Sequence, residues 1–251
     1  MTDLPDAIPA ATLIVMRDRV DGPADLLMVE RAKAMRFAAG ALVFPGGRID
    51  PGDDVLAATI GDGDDLAARV AAIRETIEEA GLAIGLSPTP SAASLASIRA
   101  ALHAGEPFAD VLAAAGIALD PGVLVPFARW RPAHRHARIF DTRFYLAALP
   151  DGSPEPTADE GETARLFWSS AAAVLASADA GRAILIYPTR RNLERLAQHR
   201  HFAAAVVDAA AHPIQAITPF IERRPDGDRL CIPQGLGYPV TSEPLSSATR
   251  G

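Results

Sequence analysis

The sequence predicts an α/β protein. Apolar runs with strand character at Ala11–Arg17, Leu26–Glu30 and Ala41–Phe44 give way to a helical segment, and strand-like runs resume at Val123–Trp130 and Phe140–Tyr145. The clearest helical signal is Leu66, Val70, Ile73 and Ile77, spaced i, i+4, i+7 and i+11, which makes one apolar stripe to bury. With 49% hydrophobic and 22% charged residues, the 251-residue chain has the balance of a globular protein with one sizeable core.

In order along the chain, Met1–Pro9 reads as a loose arm and Ala11–Arg17 as the first strand. Gly22-Pro23 marks a turn before the second strand, Leu26–Glu30. A loop from Arg31 to Gly40 carries Arg31, Lys33 and Arg36. The run Ala41–Phe44 then stops at Pro45-Gly46-Gly47, where a glycine loop lets the backbone approach a ligand closely. The stretch Asp54–Asp65 is rich in Asp, Gly and Ala and shows no apolar periodicity, so it reads as a surface excursion. The helix that follows has Asp62, Asp64 and Asp65 near its start and Gly81 at its C-cap.

Ser87–Pro90 breaks the chain, and Ser91–Ala104 and Pro107–Ala115 read as two alanine-rich helices separated by Gly105. Arg129-Trp130-Arg131, His134, Arg135, His136 and Arg138 form the densest basic stretch. It serves equally as a hairpin paired with the protein's surplus acids or as a phosphate- and adenine-capturing surface. Pro150–Glu162 is a polar, acidic loop leading to Arg165-Leu166-Phe167-Trp168, and Asn192–Ala210 reads as one long helix. Ala216–Arg223 and Arg229–Ile232 read as strands joined by an Asp226-Gly227 turn. From Pro233 onward Gly, Pro and Ser predict an irregular tail, residues 233–251.

The formal net charge of −7 argues against nucleic acid and against an anionic membrane surface as partners. Cys231 is the single cysteine, so no intrachain disulfide forms, and a reducing, cytoplasmic setting is expected. No run of 18 apolar residues and no N-terminal signal pattern is present.

The chemistry concentrates in Arg74-Glu75-Thr76-Ile77-Glu78-Glu79-Ala80-Gly81. A helix brings Glu75, Glu78 and Glu79 to one face, one turn apart, where like charges repel. Such a face is either solvated or holds a divalent cation, and hard ions take carboxylate oxygens with substrate phosphates as remaining ligands. Together with Phe44-Pro45-Gly46-Gly47, this stretch resembles the Nudix box, with Gly47, Asp53, Arg74, Glu75, Glu78, Glu79, Gly81 and Leu82 in its places. Two departures stand out. Asp53 occupies a position where the family usually has Glu, and 20 residues separate it from Arg74 where the family pattern has seven.

Arg31, Arg36, Gly40 and Phe44-Pro45-Gly46-Gly47 are spaced as in the additional signature of coenzyme A diphosphatases within that superfamily. Arg129–Phe144 and Tyr187–Leu193 resemble animal peroxisomal acyl-coenzyme A diphosphatases, whose box is also split; the likeness covers most of residues 10–200. The terminal Ala248-Thr249-Arg250-Gly251 is no peroxisomal address.

The resemblance implies a Nudix-type α/β/α sandwich with a mixed sheet, one domain over residues 10–232 and a helical insertion at 88–121. It implies a cofactor, Mg²⁺ or Mn²⁺, held by Glu75, Glu79, Glu78 and the Gly46 carbonyl, with Arg74 keeping the glutamates in place. Arg31, Arg36 and Gly47 would bind substrate, the arginines meeting the 3′-phosphate of coenzyme A. A further carboxylate from the 150–162 loop, Glu160 or Glu162, would act as metal ligand or base. The implied reaction is metal-assisted attack of water on the diphosphate of coenzyme A or acyl-coenzyme A, giving 3′,5′-ADP and (acyl-)4′-phosphopantetheine. Another nucleoside diphosphate derivative, such as ADP-ribose or a dinucleotide, stays open as substrate, as does a ligand sensor without turnover. The expected partner is a small nucleotide-type substrate, with a homodimer left open.

Overall fold

The computed structural model describes residues 7–32, 38–63, 65–132, 139–159, 161 and 163–248. At its centre lies strand β1 (Ile8–Arg17), which begins before Ala11 because Ile8 already pairs with the start of β8 (Phe140–Ala148). β1 and β8 run parallel through nine paired positions. On its other edge β1 divides its partners. β2 (Asp25–Arg31) takes the far end at Met16 and Arg17, and the short β4 (Gly46–Arg48) takes Ala10 to Thr12. That division brings the glycine loop to mid-strand, facing the catalytic-looking helix.

Beyond β2 the sheet continues into β3 (Ala41–Val43) and later into β9 (Thr163–Ser170) and β10 (Ile184–Leu185). Beyond β8 it continues into β7 (Val125–Trp130) and β11 (Ala216–Ile217). Parallel and antiparallel pairings occur together, so the sheet is mixed as expected.

Both faces of the sheet are covered, which explains why β1 is apolar on both sides rather than alternating with polar residues. Ala11, Leu13 and Val15 face one core, whereas Ile14 and Met16 face the other. The first core is closed by α1 (Pro51–Ile60), α2 (Leu66–Ala80), α3 (Ala92–His103) and α4 (Phe108–Ala115). The insertion carrying α3 and α4 is fastened by a small ladder between β5 (Leu86–Ser87) and β6 (Ala118–Leu119). The second core is closed by α5 (Ala171–Asp179), α6 (Tyr187–Leu196) and α7 (Phe202–Ala211). Among the described residues no helix is long and apolar enough to cross a membrane.

Three expectations are corrected. The segment 54–65 is not a surface excursion: its first half belongs to α1, with Leu56 and Ala57 buried in the first core. Val55 and Ile60 point to solvent, so the apolar residues of this helix do not fall on one stripe, and periodicity could not show it. The helix read as continuous over Asn192–Ala210 is two helices. Tertiary contacts end one and start the other: Ala24 donates its N–H to the Arg200 carbonyl, and Asp18 accepts the Phe202 N–H at 2.8 Å.

The tail, finally, is irregular only through residue 241. The expected strands are present as β12 (Phe220–Glu222) and β13 (Arg229–Cys231), and from the tail β14 (Ser242–Pro244) joins them as a third strand, followed by a single turn, α8 (Leu245–Ala248). Leu236 and Tyr238 are buried, and the Tyr238 hydroxyl donates to Asn192 Oδ1 at 2.8 Å while accepting from Trp130 Nε1 at 3.1 Å. Such isolated contacts carry no periodic signature.

The burial of Leu56 is testable. Leu56→Ala should cost about 2 kcal/mol or more of stability in urea unfolding, the range for a truncated core leucine. A change under about 0.5 kcal/mol, as at an ordinary surface position, would return the segment to the surface.

Candidate active site

α2 turns its apolar stripe inward, with Val70, Ile73 and Ile77 fully buried, and this fixes the opposite face. Gly81 closes the helix in the left-handed region at φ 65°, its N–H reaching the Ile77 carbonyl at 2.9 Å. Arg74, Glu75, Glu78 and Glu79 are thereby held on a rigid element.

The guanidinium of Arg74 organises the others, and each of its five N–H donors finds an acceptor. Nε and Nη2 grip the two oxygens of Asp53, both at 2.9 Å. Nη1 donates to Glu75 Oε1 and Glu78 Oε1, each at 3.0 Å, and Nη2 also reaches the Arg48 carbonyl at 3.1 Å. Asp53 in turn accepts the N–H of Asp50 at 2.9 Å, tying the start of α1 to the same charge. Asp53 is 1% exposed, which settles its place despite the long spacing: α1 folds back so that the acid reaches Arg74.

Glu79 is positioned differently, its Oε2 accepting the Gly46 N–H at 2.9 Å. The glycine loop must come this close. A Cβ on Gly47 would collide with the Glu75 carboxylate, and one on Gly46 with the backbone of Ala11 and Thr12. Here the two glycines are required by proximity.

Asp53, Glu75 and Glu78 surround one arginine, with Glu79 beside them on the same helix as Glu75 and Glu78, and the electrostatics follow. Burial, reinforced by the Glu78 charge and opposed by Arg74, raises the Glu75 pKa to about 7. Burial and the charge of Glu75 push Glu79 well above the carboxylate range, with Asp159 adding to the rise; the Gly46 N–H and Arg31 oppose it. Burial alone would discharge Arg74, but its hydrogen bonds to Asp53 and the surrounding carboxylates outweigh that and keep it protonated.

Among the described residues no three acidic, histidine or cysteine side chains are already gathered as a metal cage. Arg74 holds Glu75 and Glu78, and Gly46 holds Glu79. The donor set nevertheless fits a hard divalent cation. It offers the oxygens of three acidic side chains on one helical face, two of them held by Arg74 and one by the Gly46 N–H.

Arg31 ends β2 at an irregularity in its pairing with β9. Its charge is felt by Glu79, and its Nε is buried without a hydrogen-bond partner among the described residues. Arg36, Glu160 and Glu162 lie outside the described residues, as do His134, Arg135, His136 and Arg138. Asp159, beside the two candidate glutamates, accepts N–H groups of Gly161 and Thr163 at 3.3 and 2.9 Å and acts electrostatically on Glu79. In the basic stretch, Arg129 is committed to Asp141, with bonds of 2.8 and 2.6 Å. Sequence reasoning missed Arg99 and His103 in the insertion. Arg99 Nε donates to the Glu78 carbonyl at 2.8 Å and His103 Nε2 lies 3.1 Å from the same oxygen, and neither residue sits in any motif.

Neither a protein-family model nor a curated protein matches the chain. Among solved structures, it is similar to a NUDIX hydrolase from Alicyclobacillus acidocaldarius, at 31% identity and a TM-score of 0.67, over 80% of this chain and 96% of that one. It is also similar to a MutT protein from Methanosarcina mazei Go1, at 13% identity and a TM-score of 0.45, over 78% of this chain and 97% of that one. The NUDIX domain of Shewanella oneidensis NrtR, complexed with ADP ribose, matches at 12% identity and a TM-score of 0.44, over 78% of this chain and 88% of that one.

The raised carboxylates make a prediction about pH. Glu75 and Glu79 bind protons more tightly folded than unfolded, so between the ordinary value of 4.5 and about 7 the folded protein keeps protons that the unfolded chain has released. Their contribution to stability is therefore present at low pH and is lost as pH rises through that window. In chelator, Tm should fall between pH 5 and 7.5 by more in the wild-type protein than in Glu75→Gln/Glu79→Gln, and Mn²⁺ should restore the wild type most at pH 7.5. Equal slopes in the two proteins would mean that these carboxylates are not desolvated as described.

Proposed function

The chain belongs to the Nudix hydrolases, and from that premise we propose that it cleaves the diphosphate of coenzyme A or acyl-coenzyme A to 3′,5′-ADP and (acyl-)4′-phosphopantetheine. The observation that carries the diphosphate reading is the Arg74 network, which holds Asp53, Glu75 and Glu78 around one guanidinium while the Gly46 N–H holds Glu79. The catalytic domain is assigned to residues 10–232, with 88–121 as an insertion into it.

Glu75 and Glu79 are assigned as direct ligands of Mg²⁺ or Mn²⁺, with Glu78 and the Gly46 carbonyl completing the set. Bound there, the metal would supply positive charge to the phosphates and lower the pKa of water. The protein's own residues do the rest. Arg74 keeps three carboxylates in register against their mutual repulsion. Gly47 leaves room for the Glu75 carboxylate to lie against the backbone of the glycine loop. A carboxylate of the 150–162 loop, for which Glu160, Glu162 and Asp159 are candidates, takes the proton from the attacking water.

Coenzyme A is favoured by the spacing of Arg31, Arg36 and Gly40 before the glycine loop. Arg31 is assigned, with Arg36, to a phosphate of the substrate, the 3′-phosphate of coenzyme A; its buried Nε has no hydrogen-bond partner among the described residues and can donate to a phosphate oxygen. The complete set of carboxylates weighs against a sensor that lacks turnover.

The test is a substrate panel of coenzyme A, acetyl-coenzyme A, dephospho-coenzyme A, ADP-ribose and diadenosine polyphosphates, with Mg²⁺ or Mn²⁺ and product analysis. The highest kcat/KM should fall on a coenzyme A species, with 3′,5′-ADP released. Glu79→Gln should lower that rate at least about 10²-fold, the scale of a lost electrostatic stabiliser, while leaving the protein folded. ADP-ribose turned over far faster than coenzyme A would move the assignment to another nucleoside diphosphate derivative.

A further inference from the structure

We propose that Arg99 is a positioning residue for the hydrolysis: from the inserted helix α3 it pins the loop that carries Asp159 to the C-terminal end of α2, where Glu78 and Glu79 reside. The proposal rests on the diphosphate-hydrolase reading of that site and gives the insertion a part in it.

The argument begins with the end of a helix. The last carbonyls of α2 have no partner within the helix, and their partial negative charge attracts cations. Here they are divided among three segments. The Gly81 N–H takes Ile77, the Thr157 N–H takes Ala80 at 3.0 Å, and Arg99 Nε takes Glu78 at 2.8 Å. Arg99 then joins two of these segments, since its Nη1 donates to the Thr157 hydroxyl at 2.7 Å. A single guanidinium therefore bridges the backbone of Glu78 to the loop two residues before Asp159. His103, one turn along α3, meets the same carbonyl from the same face.

The platform behind Arg99 is rigid. α3 starts on a Ser91 cap that accepts the Ser94 N–H, and Leu95, Ile98 and Leu102 anchor it in the first core. Gly81 leaves the space for the bridge. A Cβ there would lie 3.2 Å from both Arg99 Nη1 and Thr157 Oγ1, tighter than ordinary contact. Beyond the bridge, the Asp159 charge acts on Arg99 and on Glu79 alike, so the pinned loop carries a carboxylate within electrostatic reach of the cluster. If the loop moved away from Glu79, a carboxylate would be misplaced, and a displacement of about 1 Å can cost on the order of 10²-fold in rate.

The experiment compares wild type, Arg99→Ala, Thr157→Val and the double variant with Mn²⁺ and the best substrate of the panel, together with hydrogen exchange across residues 157–163. Each single variant should lose about ten- to a hundredfold in kcat with KM little changed, and the double variant should be no slower than the worse single one. Exchange of the Gly161 and Thr163 amides should accelerate in both single variants. Thr157→Val keeps every contact of α3 with α2 and severs only the pin, so it decides the matter should Arg99→Ala fold poorly. Full kcat in folded Thr157→Val, or strictly additive losses, would overturn the proposal, as would unchanged exchange. A wild-type protein inactive on the whole panel would count against the diphosphatase reading alone, while the exchange comparison would still decide whether Arg99 pins the loop.

Discussion

Everything at this site depends on one buried cation. Arg74 satisfies five donors with two oxygens of Asp53, one each of Glu75 and Glu78, and the Arg48 carbonyl. A charge taken out of water is tolerated only when it is paired and fully hydrogen-bonded. That condition fixes α1 relative to α2, because Asp53 comes from one helix and Arg74 from the other. It also fixes the glycine loop, whose backbone follows the same guanidinium through Arg48. Like charges that would drive the helix face apart are thereby held together. The site is a frustrated arrangement, stabilised by its surroundings and suited to gain from added positive charge.

The sheet explains how that arrangement reaches substrate. Because β1 shares its edge between β2 and β4, the glycine loop stops halfway along the strand instead of at a strand end. Gly46 and Gly47 then lie beneath Glu79 and Glu75, and Arg31 enters from the end of β2. The insertion contributes from outside the sheet, where α3 and the 150–162 loop share the C-terminal end of α2. Four separate parts of the chain meet at the C-terminal half of one helix.

Much of this was legible in the residues. The stripe of Leu66, Val70, Ile73 and Ile77 foretold which face of α2 is buried, and the spacing of Glu75, Glu78 and Glu79 foretold the acidic one. Pro45-Gly46-Gly47 foretold a close backbone approach. What stayed hidden depends on contacts between residues distant in sequence. The helix α1 has buried Leu56 and Ala57 beside exposed Val55 and Ile60, a pattern no period describes. Asp53 could be named but not placed, since 20 residues of spacing say nothing about where a helix folds back. Arg99 looked like any arginine on an alanine-rich helix, and its value comes from a carbonyl 21 residues earlier and a hydroxyl 58 residues later. The break between α6 and α7 is likewise made by Asp18, from another part of the chain.

The central claim is that Arg74 and its carboxylates form a cation site. It is tested most directly by titrating Mn²⁺ calorimetrically into the substrate-free protein near pH 7.5, for wild type and for Glu75→Gln/Glu79→Gln. Wild type should bind Mn²⁺ at a saturable site, and the double variant should bind at least about tenfold more weakly, a difference of about 1.4 kcal/mol. Equal affinity in the two proteins would contradict the account.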